Sequence, residues 1–233
     1  QGDRFGYDYD ININTYSGFG QIEVTSAKFD GYAGLTISNT SFWRTGNMKN
    51  GLFPENSLGD SEKQSFTNAG IKAGAVYKIT GRHLIAVNTA YLTRAPKSRT
   101  AFISPKTRNQ IIDDLKSETI MSGDLNYLVR YPKLKIRLTG FYTSVKDKTW
   151  ARSLYFDNIN TYGNYIMTGI DQLFVGTELG VEVKITSTID ATGAFTTGDY
   201  IFNSRPLATI SRDNSAELLI KDRLVYYENY KIG

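Results

Sequence analysis

Six side chains are the candidate ligand contacts: Trp43, Arg44, Arg94, Arg108, Trp150 and Arg152. Trp43-Arg44 and Trp150-Ala151-Arg152 each put a flat ring beside a cation, a pairing that suits contact with a sugar or siderophore ring; anchoring at a membrane interface would explain the tryptophans as well. Arg94 and Arg108 belong to a basic segment with Lys97, Arg99 and Lys106. Such a segment could grip an anionic substrate or lipid phosphates through charge-assisted hydrogen bonds, or it could form an ordinary solvated loop.

Catalytic chemistry has little to work with. The single histidine, His83, stands at the start of a strand-like run and has no evident nucleophile or orienting partner. One His and no Cys leave no ligand set for a zinc-type centre. Asp8 with Asp10, and Asp113 with Asp114, are carboxylate pairs that could chelate a hard cation. The expected reading is plainer: a polar lumen face for the first pair and a solvated loop for the second. Gly18-Phe19-Gly20 lacks the following helix that a phosphate cradle requires. No catalytic, cofactor-binding or metal-binding residue is therefore assigned, and no enzyme is expected.

The net charge of +4 over 233 residues is mild, and the two signs are interspersed. Nucleic-acid binding usually needs a clustered basic face and is not expected. No apolar run reaches the roughly 20 residues of a transmembrane helix. Gln1-Gly2-Asp3-Arg4 does not read as a signal peptide. If the chain meets a membrane, it must do so with strands.

Ten strand-like runs can be marked, at 6–16, 19–29, 32–43, 66–79, 82–94, 116–131, 133–147, 172–186, 190–200 and 224–231. Leu134, Ile136 and Leu138 alternate with Lys133, Lys135 and Arg137, and Leu179, Val181, Val183 and Ile185 with Glu178, Glu182 and Lys184, which is the period of a two-faced strand. Tyr7, Tyr9, Ile11 and Ile13 alternate in the same way with Asp8, Asp10, Asn12 and Asn14. Asp30-Gly31 is a type I′ hairpin signal that predicts Val24 opposite Ile37. A turn at Tyr131-Pro132 predicts Leu134 opposite Val129, and one at Ile79-Thr80-Gly81 predicts Ile85 opposite Ala75. A one-residue slip would mix the faces.

The connections carry more. Those after 29 and at 80–81, 132 and 187–189 are short, whereas 44–65, 95–115, 148–171 and 201–223 are long. Strict alternation is what a membrane barrel produces, with tight turns at one rim and long loops at the other. Phe29, Tyr32, Tyr77 and Tyr131 beside the short turns suit an aromatic girdle, and Trp43 and Trp150 mark the opposite ends. Lys28 is the awkward residue, since the Asp30-Gly31 register puts it on the apolar face.

The middle of the chain then resembles a known family. In order come Gly81-Arg82-His83, Tyr91-Leu92-Thr93-Arg94-Ala95-Pro96, Ile103-Ser104-Pro105-Lys106-Thr107-Arg108 and Asp124-Leu125-Asn126-Tyr127. Leu138-Thr139-Gly140-Phe141-Tyr142-Thr143, Asn164-Tyr165, Thr168-Gly169-Ile170-Asp171, Glu178-Leu179-Gly180-Val181-Glu182 and Gly198-Asp199-Tyr200 follow. This series resembles the barrel of a TonB-dependent outer-membrane receptor, most of all the large variety with an N-terminal carboxypeptidase-like regulatory domain.

The expected fold is all-β: an antiparallel up-and-down transmembrane barrel segment of about ten strands, with residues 1–233 as part of a larger barrel. No plug-like segment is visible, and Tyr230-Lys231-Ile232-Gly233 reads as a strand continuing onward. The resemblance implies import of a scarce nutrient (an iron chelate, a cobalamin, a glycan or a peptide) across the bacterial outer membrane. Its partners would be outer-membrane lipid, the nutrient, and TonB through a plug domain. No cofactor is implied. Two alternatives stay open: a soluble secreted β-sandwich that binds carbohydrate through exposed aromatics, and a barrel enzyme with carboxylates at its rim.

Overall fold

The computed structural model describes residues 6–157, 160–213, 215, 218–225 and 230–232. It consists of β1 (Tyr9–Thr25), β2 (Phe29–Gly46), β3 (Gly59–Asp60), β4 (Gln64–Lys78), β5 (His83–Arg94), β6 (Glu118–Tyr131), β7 (Leu134–Phe156), β8 (Thr161–Lys184), β9 (Asp190–Phe202), β10 (Leu207–Arg212), β11 (Leu218–Leu224) and β12 (Tyr230–Lys231), with one 3₁₀ turn at Ser98–Thr100. All twelve strands belong to one sheet in the order β1-β2-β4-β5-β6-β7-β8, with every pairing antiparallel.

Beyond β8 the sheet divides by height. β8 pairs with β9 along its lower half and with β10 along its upper half. β10 then pairs with β11, and β9 with β12. β9 and β10 therefore act as one interrupted strand, and β11 and β12 as the next. The interruption lies beside Gly169, whose φ of 71° only a glycine adopts freely. Ser204 Oγ fastens it by donating to the Gly169 carbonyl and accepting from the Asp171 N–H. The sheet does not close: β1 has β2 as its only neighbour among the described residues.

Three expectations are corrected. The runs 6–16 and 19–29 are one continuous strand, so Asp30-Gly31 lies inside β2 and is not the hairpin turn. The chain reverses instead at Ser26-Ala27-Lys28, where Ser26 Oγ bonds both backbone groups of Phe29. Lys28 sits in that turn and not on the apolar face. Second, 148–171 is no loop, because β7 and β8 continue through it as a long hairpin. Third, 201–223 holds β10 and most of β11. Of the expected last run, residues 226–229 lie outside the described residues.

Alternation along the strands gives two unlike faces. One carries Ile22, Leu35, Ile37, Ile71, Val87, Leu125, Leu138, Val175 and Leu179. These side chains are open: Ile37 is 57% exposed and Leu125 58%. The opposite face carries a polar ladder. Tyr32 Oη donates to Asn88 Oδ1 at 3.2 Å, Asn88 Nδ2 to Asp124 Oδ1 at 2.8 Å, and Thr139 Oγ1 to Asn126 Oδ1 at 2.7 Å. Asn126 Nδ2 also donates to Asp124. Asn126 and Thr139 are only 8% exposed. Apolar out and polar in is the reverse of a soluble protein, and it fits a wall between hydrocarbon and a wet lumen. A sandwich would need a second sheet over the aliphatic face, and none covers it among the described residues.

The expected girdle is largely in place. Phe29, Tyr77, Tyr127 and Tyr131 lie on the open face near the short turns. Tyr32 does not belong to it: its ring lies inward over Gly74, where any Cβ would collide with it. On β2, Trp43 shares the open face with Leu35 and Ile37 and stands fourteen residues up the strand from Phe29. At about 3.3 Å per residue and a tilt near 40°, that separates the two rings by about 35 Å along the barrel axis. The hydrocarbon core is about 30 Å thick.

Candidate functional site

Up-and-down connectivity puts the turns at 26–28, 79–82, 132–133 and 185–189 on one rim, and 47–63 and 95–117 on the other, where β7 ends at Phe156 and β10 at Arg212. At that second rim the two longest connections fold together. Phe42, Ala101 and Phe102 form a buried cluster with Ile11, Phe66, Ile111 and Leu115 around it. Ile103 and Ile112 bury against Ile166 of β8, with Ala151 of β7 beside them. Segment 95–117 thus reaches from β1 and β2 to β7 and β8. The reading of this segment as an ordinary solvated loop does not hold.

Arg44 and Arg108 hold this assembly. Arg44, 1% exposed, donates from Nε to the Pro105 carbonyl at 2.7 Å and from Nη1 to the Ser57 carbonyl at 2.9 Å, with Asn109 Oδ1 a further acceptor. One guanidinium therefore ties β2 to both long loops, and it also stands 5.2 Å from the Tyr9 ring centre. Arg108 is equally buried, stacks 4.5 Å from the Phe53 ring centre, and donates from Nη1 to the Ser215 carbonyl at 3.0 Å. Its Nε and Nη2 have no hydrogen-bond partner among the described residues. Burial pushes its pKa below the ordinary arginine value, and nearby Asp213 opposes that. Asp213 also accepts from Ser104 Oγ and Asn164 Nδ2, both at 2.6 Å, which ties the 95–117 loop to β8.

The six expected contacts do not form one site. Arg44 and Arg108 are braces inside the loop assembly. Arg94 pairs with the buried Glu118 across β5 and β6. Trp43 points away from Arg44, to the open face, with Lys63 Nζ 4.9 Å from its ring centre. Arg152 stacks on Trp150 at 4.5 Å, and Trp150 packs with Met167, Ile170 and Ala208, on the side of β7 opposite Ala151 and the loop.

The structure adds a cleft that the sequence reading passed over. It measures about 820 Å³ and lies between upper β1 and the 95–117 loop, lined by Tyr7, Asp8, Tyr9, Asp10, Ile11, Ile13, Ser98, Arg99 and Pro105. The alternation Tyr7, Tyr9, Ile11, Ile13 was legible, but its direction was not. These residues share the side of Arg44 and Phe42, whereas Asp8 and Asp10 point the other way and accept from Asn47 Nδ2. The apolar-out rule inverts here because the loop core, not lipid, covers upper β1. Lys106 Nζ lies 5.3 Å from the Tyr7 ring centre, and the Tyr7 and Tyr9 rings are 6.0 Å apart. The cleft thus offers two phenol faces and positive charge at one wall. Asp113 pairs with Lys221, and the described residues contain no metal-holding group of His, Cys, Asp or Glu.

No family model matches the sequence, and no curated protein matches it. Solved structures do match in shape. The copper transporter OprC aligns with 86% of this chain and 32% of its own, at a TM-score of 0.67 and 14% identity. The ferric-catecholate import receptor Fiu of E. coli K12 aligns with 89% of this chain and 33% of its own, at 0.61 and 14%. The chain thus spans about a third of the length of each. The sheet described above has the fold of about a third of each of these two proteins.

Proposed function

We propose that this chain is the wall and outer-loop portion of a TonB-dependent receptor that imports a scarce nutrient across the bacterial outer membrane. The observation that carries this reading is the two-faced open sheet, greasy where it is bare and hydrogen-bonded where it is covered. Backbone groups inside a bilayer must all be paired, so an open sheet of this kind is stable there only once further strands complete it. Residues 1–233 are read as part of one barrel domain, whose partners are outer-membrane lipid, the nutrient, and TonB acting through a plug. Wall and loops do no bond-breaking chemistry in this reading, so the portion described is a receptor and not an enzyme.

Within the portion, the cleft beside Tyr7, Tyr9 and Arg99 is the proposed ligand contact, and Arg44, Arg94 and Arg108 support it by fixing the loops. Phenol faces next to cations favour a ligand with a flat ring and negative charge. Growth on single limiting sources of iron chelate, cobalamin, glycan or peptide tests the function. Strains lacking this protein and strains lacking TonB should fail on the same nutrient. If every nutrient that needs this protein is taken up normally without TonB, the reading is wrong.

A further inference from the structure

A second cluster lies at the opposite rim, on the open face, and serves neither the loops nor the lumen. His83 stands between two tyrosines of β6: Nδ1 is 2.7 Å from the Tyr127 hydroxyl and Nε2 is 3.2 Å from the Tyr131 hydroxyl. A neutral imidazole accepts at one nitrogen and donates from the other, so the ring fixes the orientation of both phenols. Arg82 closes the group, with its guanidinium 4.9 Å from the Tyr131 ring centre. No ion pair to Arg82 is formed among the described residues, so its N–H donors face outward unclaimed. The neighbouring turn residues Lys28 and Lys133 add charge, while Lys78 and Lys135 are already paired with Asp30 and Glu182.

We propose that Arg82, His83, Tyr127 and Tyr131 form a seat for the phosphate headgroup of an inner-leaflet phospholipid. The inference rests on the membrane reading above and adds a specific site to it. Chemistry and position agree. His83, Tyr127 and Tyr131 lie on the face that carries Ile85, Leu125 and Leu138, at the end where that face meets the short turns, and Arg82 reaches the Tyr131 ring from the adjoining turn. A guanidinium held flat on a phenol keeps its fork free for phosphate oxygens, and ordering it beforehand lowers the entropy cost of binding. Acyl chains leaving the headgroup would run along the aliphatic rows toward Trp43. The tyrosine hydroxyls hold the imidazole upright at the level where water gives way to hydrocarbon.

The test uses the protein purified from outer membranes, delipidated in detergent and titrated with phosphatidylglycerol under native mass spectrometry. The wild type should retain the lipid, and Arg82→Gln should weaken retention about fivefold, the effect of one interfacial cation. Lys63→Gln, at the other rim, should leave it unchanged. Tyr131→Phe should keep the lipid but alter the ¹⁵N signals of His83, which a merely packed ring would not report. Equal retention by Arg82→Gln and wild type would overturn the proposal, and so would equal competition by soluble glycerol phosphate. A protein that never enters bilayers would instead defeat the membrane reading itself.

Discussion

Arg44 Nε and the Pro105 carbonyl oxygen meet at 2.7 Å across 61 residues of chain. That single bond, with its companions at Ser57 and Asn109, makes the outer rim one packed unit. Arg44→Ala strands two buried carbonyls and an amide oxygen, at about 1–3 kcal/mol each before relaxation. The loops at 47–63 and 95–117 should then open together. Limited proteolysis within 95–117 should accelerate strongly, with the strands still protected. Arg44→Lys should recover little, because an ammonium cannot reproduce the fork.

The polar ladder gives a second expectation. Asn126→Ala removes the acceptor of Thr139 Oγ1 and a donor to Asp124. It should lower the unfolding free energy of the reconstituted protein by about 1–3 kcal/mol. Adding Thr139→Val should cost little more than the single change, a coupling that a double-mutant cycle measures.

Close packing over glycine supplies a third. A Cβ at Gly74 would run into the Tyr32 ring and Asn88 Oδ1. Gly74→Ala should therefore displace Tyr32 and cost about 1–3 kcal/mol through overpacking. Tyr32→Ala in the same chain should return part of that loss. A Gly74→Ala protein as stable as the wild type would mean that the ring does not sit there.

Depth dependence gives a fourth. Leu125→Arg, placed near mid-height of the open face, should cost about 2–4 kcal/mol in bilayer folding equilibria, and Tyr131→Arg near the rim about 0–1. Equal costs would remove the lipid gradient on which the orientation of the sheet depends.

The faces of the sheet were legible in the sequence, but its registers were not. Val24 was expected opposite Ile37 and pairs with Gly31; Ile85 was expected opposite Ala75 and pairs with Tyr77; Leu134 was expected opposite Val129 and pairs with Tyr131. Each slip is an even number of residues. Period-two patterning forbids odd slips and tolerates even ones, so it fixes which way a side chain points and not which residue it meets. The first register was decided by contacts that the pattern does not encode: Ser26 capping Phe29, and the Phe29 ring lying over Gly31.

Site residues show the same division. Arg44 and Arg108 were singled out as cations at the loop bases, and both are central to the rim. Their role was hidden because it depends on burial and on carbonyl partners 61 and 107 residues away. Trp43 and Arg44 are adjacent in sequence and therefore opposed in a strand, which period two alone states. Period two separates Tyr7 and Tyr9 from Asp8 and Asp10 but does not say which pair faces lipid, because nothing local says where the hydrocarbon ends and the loop core begins.

The most direct test of the two-faced wall is a spin-label scan along β6. The chain contains no cysteine, so single cysteines can be placed one at a time from Met121 to Val129 in the bilayer-embedded protein. Collision rates with molecular oxygen should rise and fall with a period of two and peak at Met121, Gly123, Leu125, Tyr127 and Val129. Peaks at Ser122, Asp124, Asn126 and Leu128, or no alternation at all, would contradict the account.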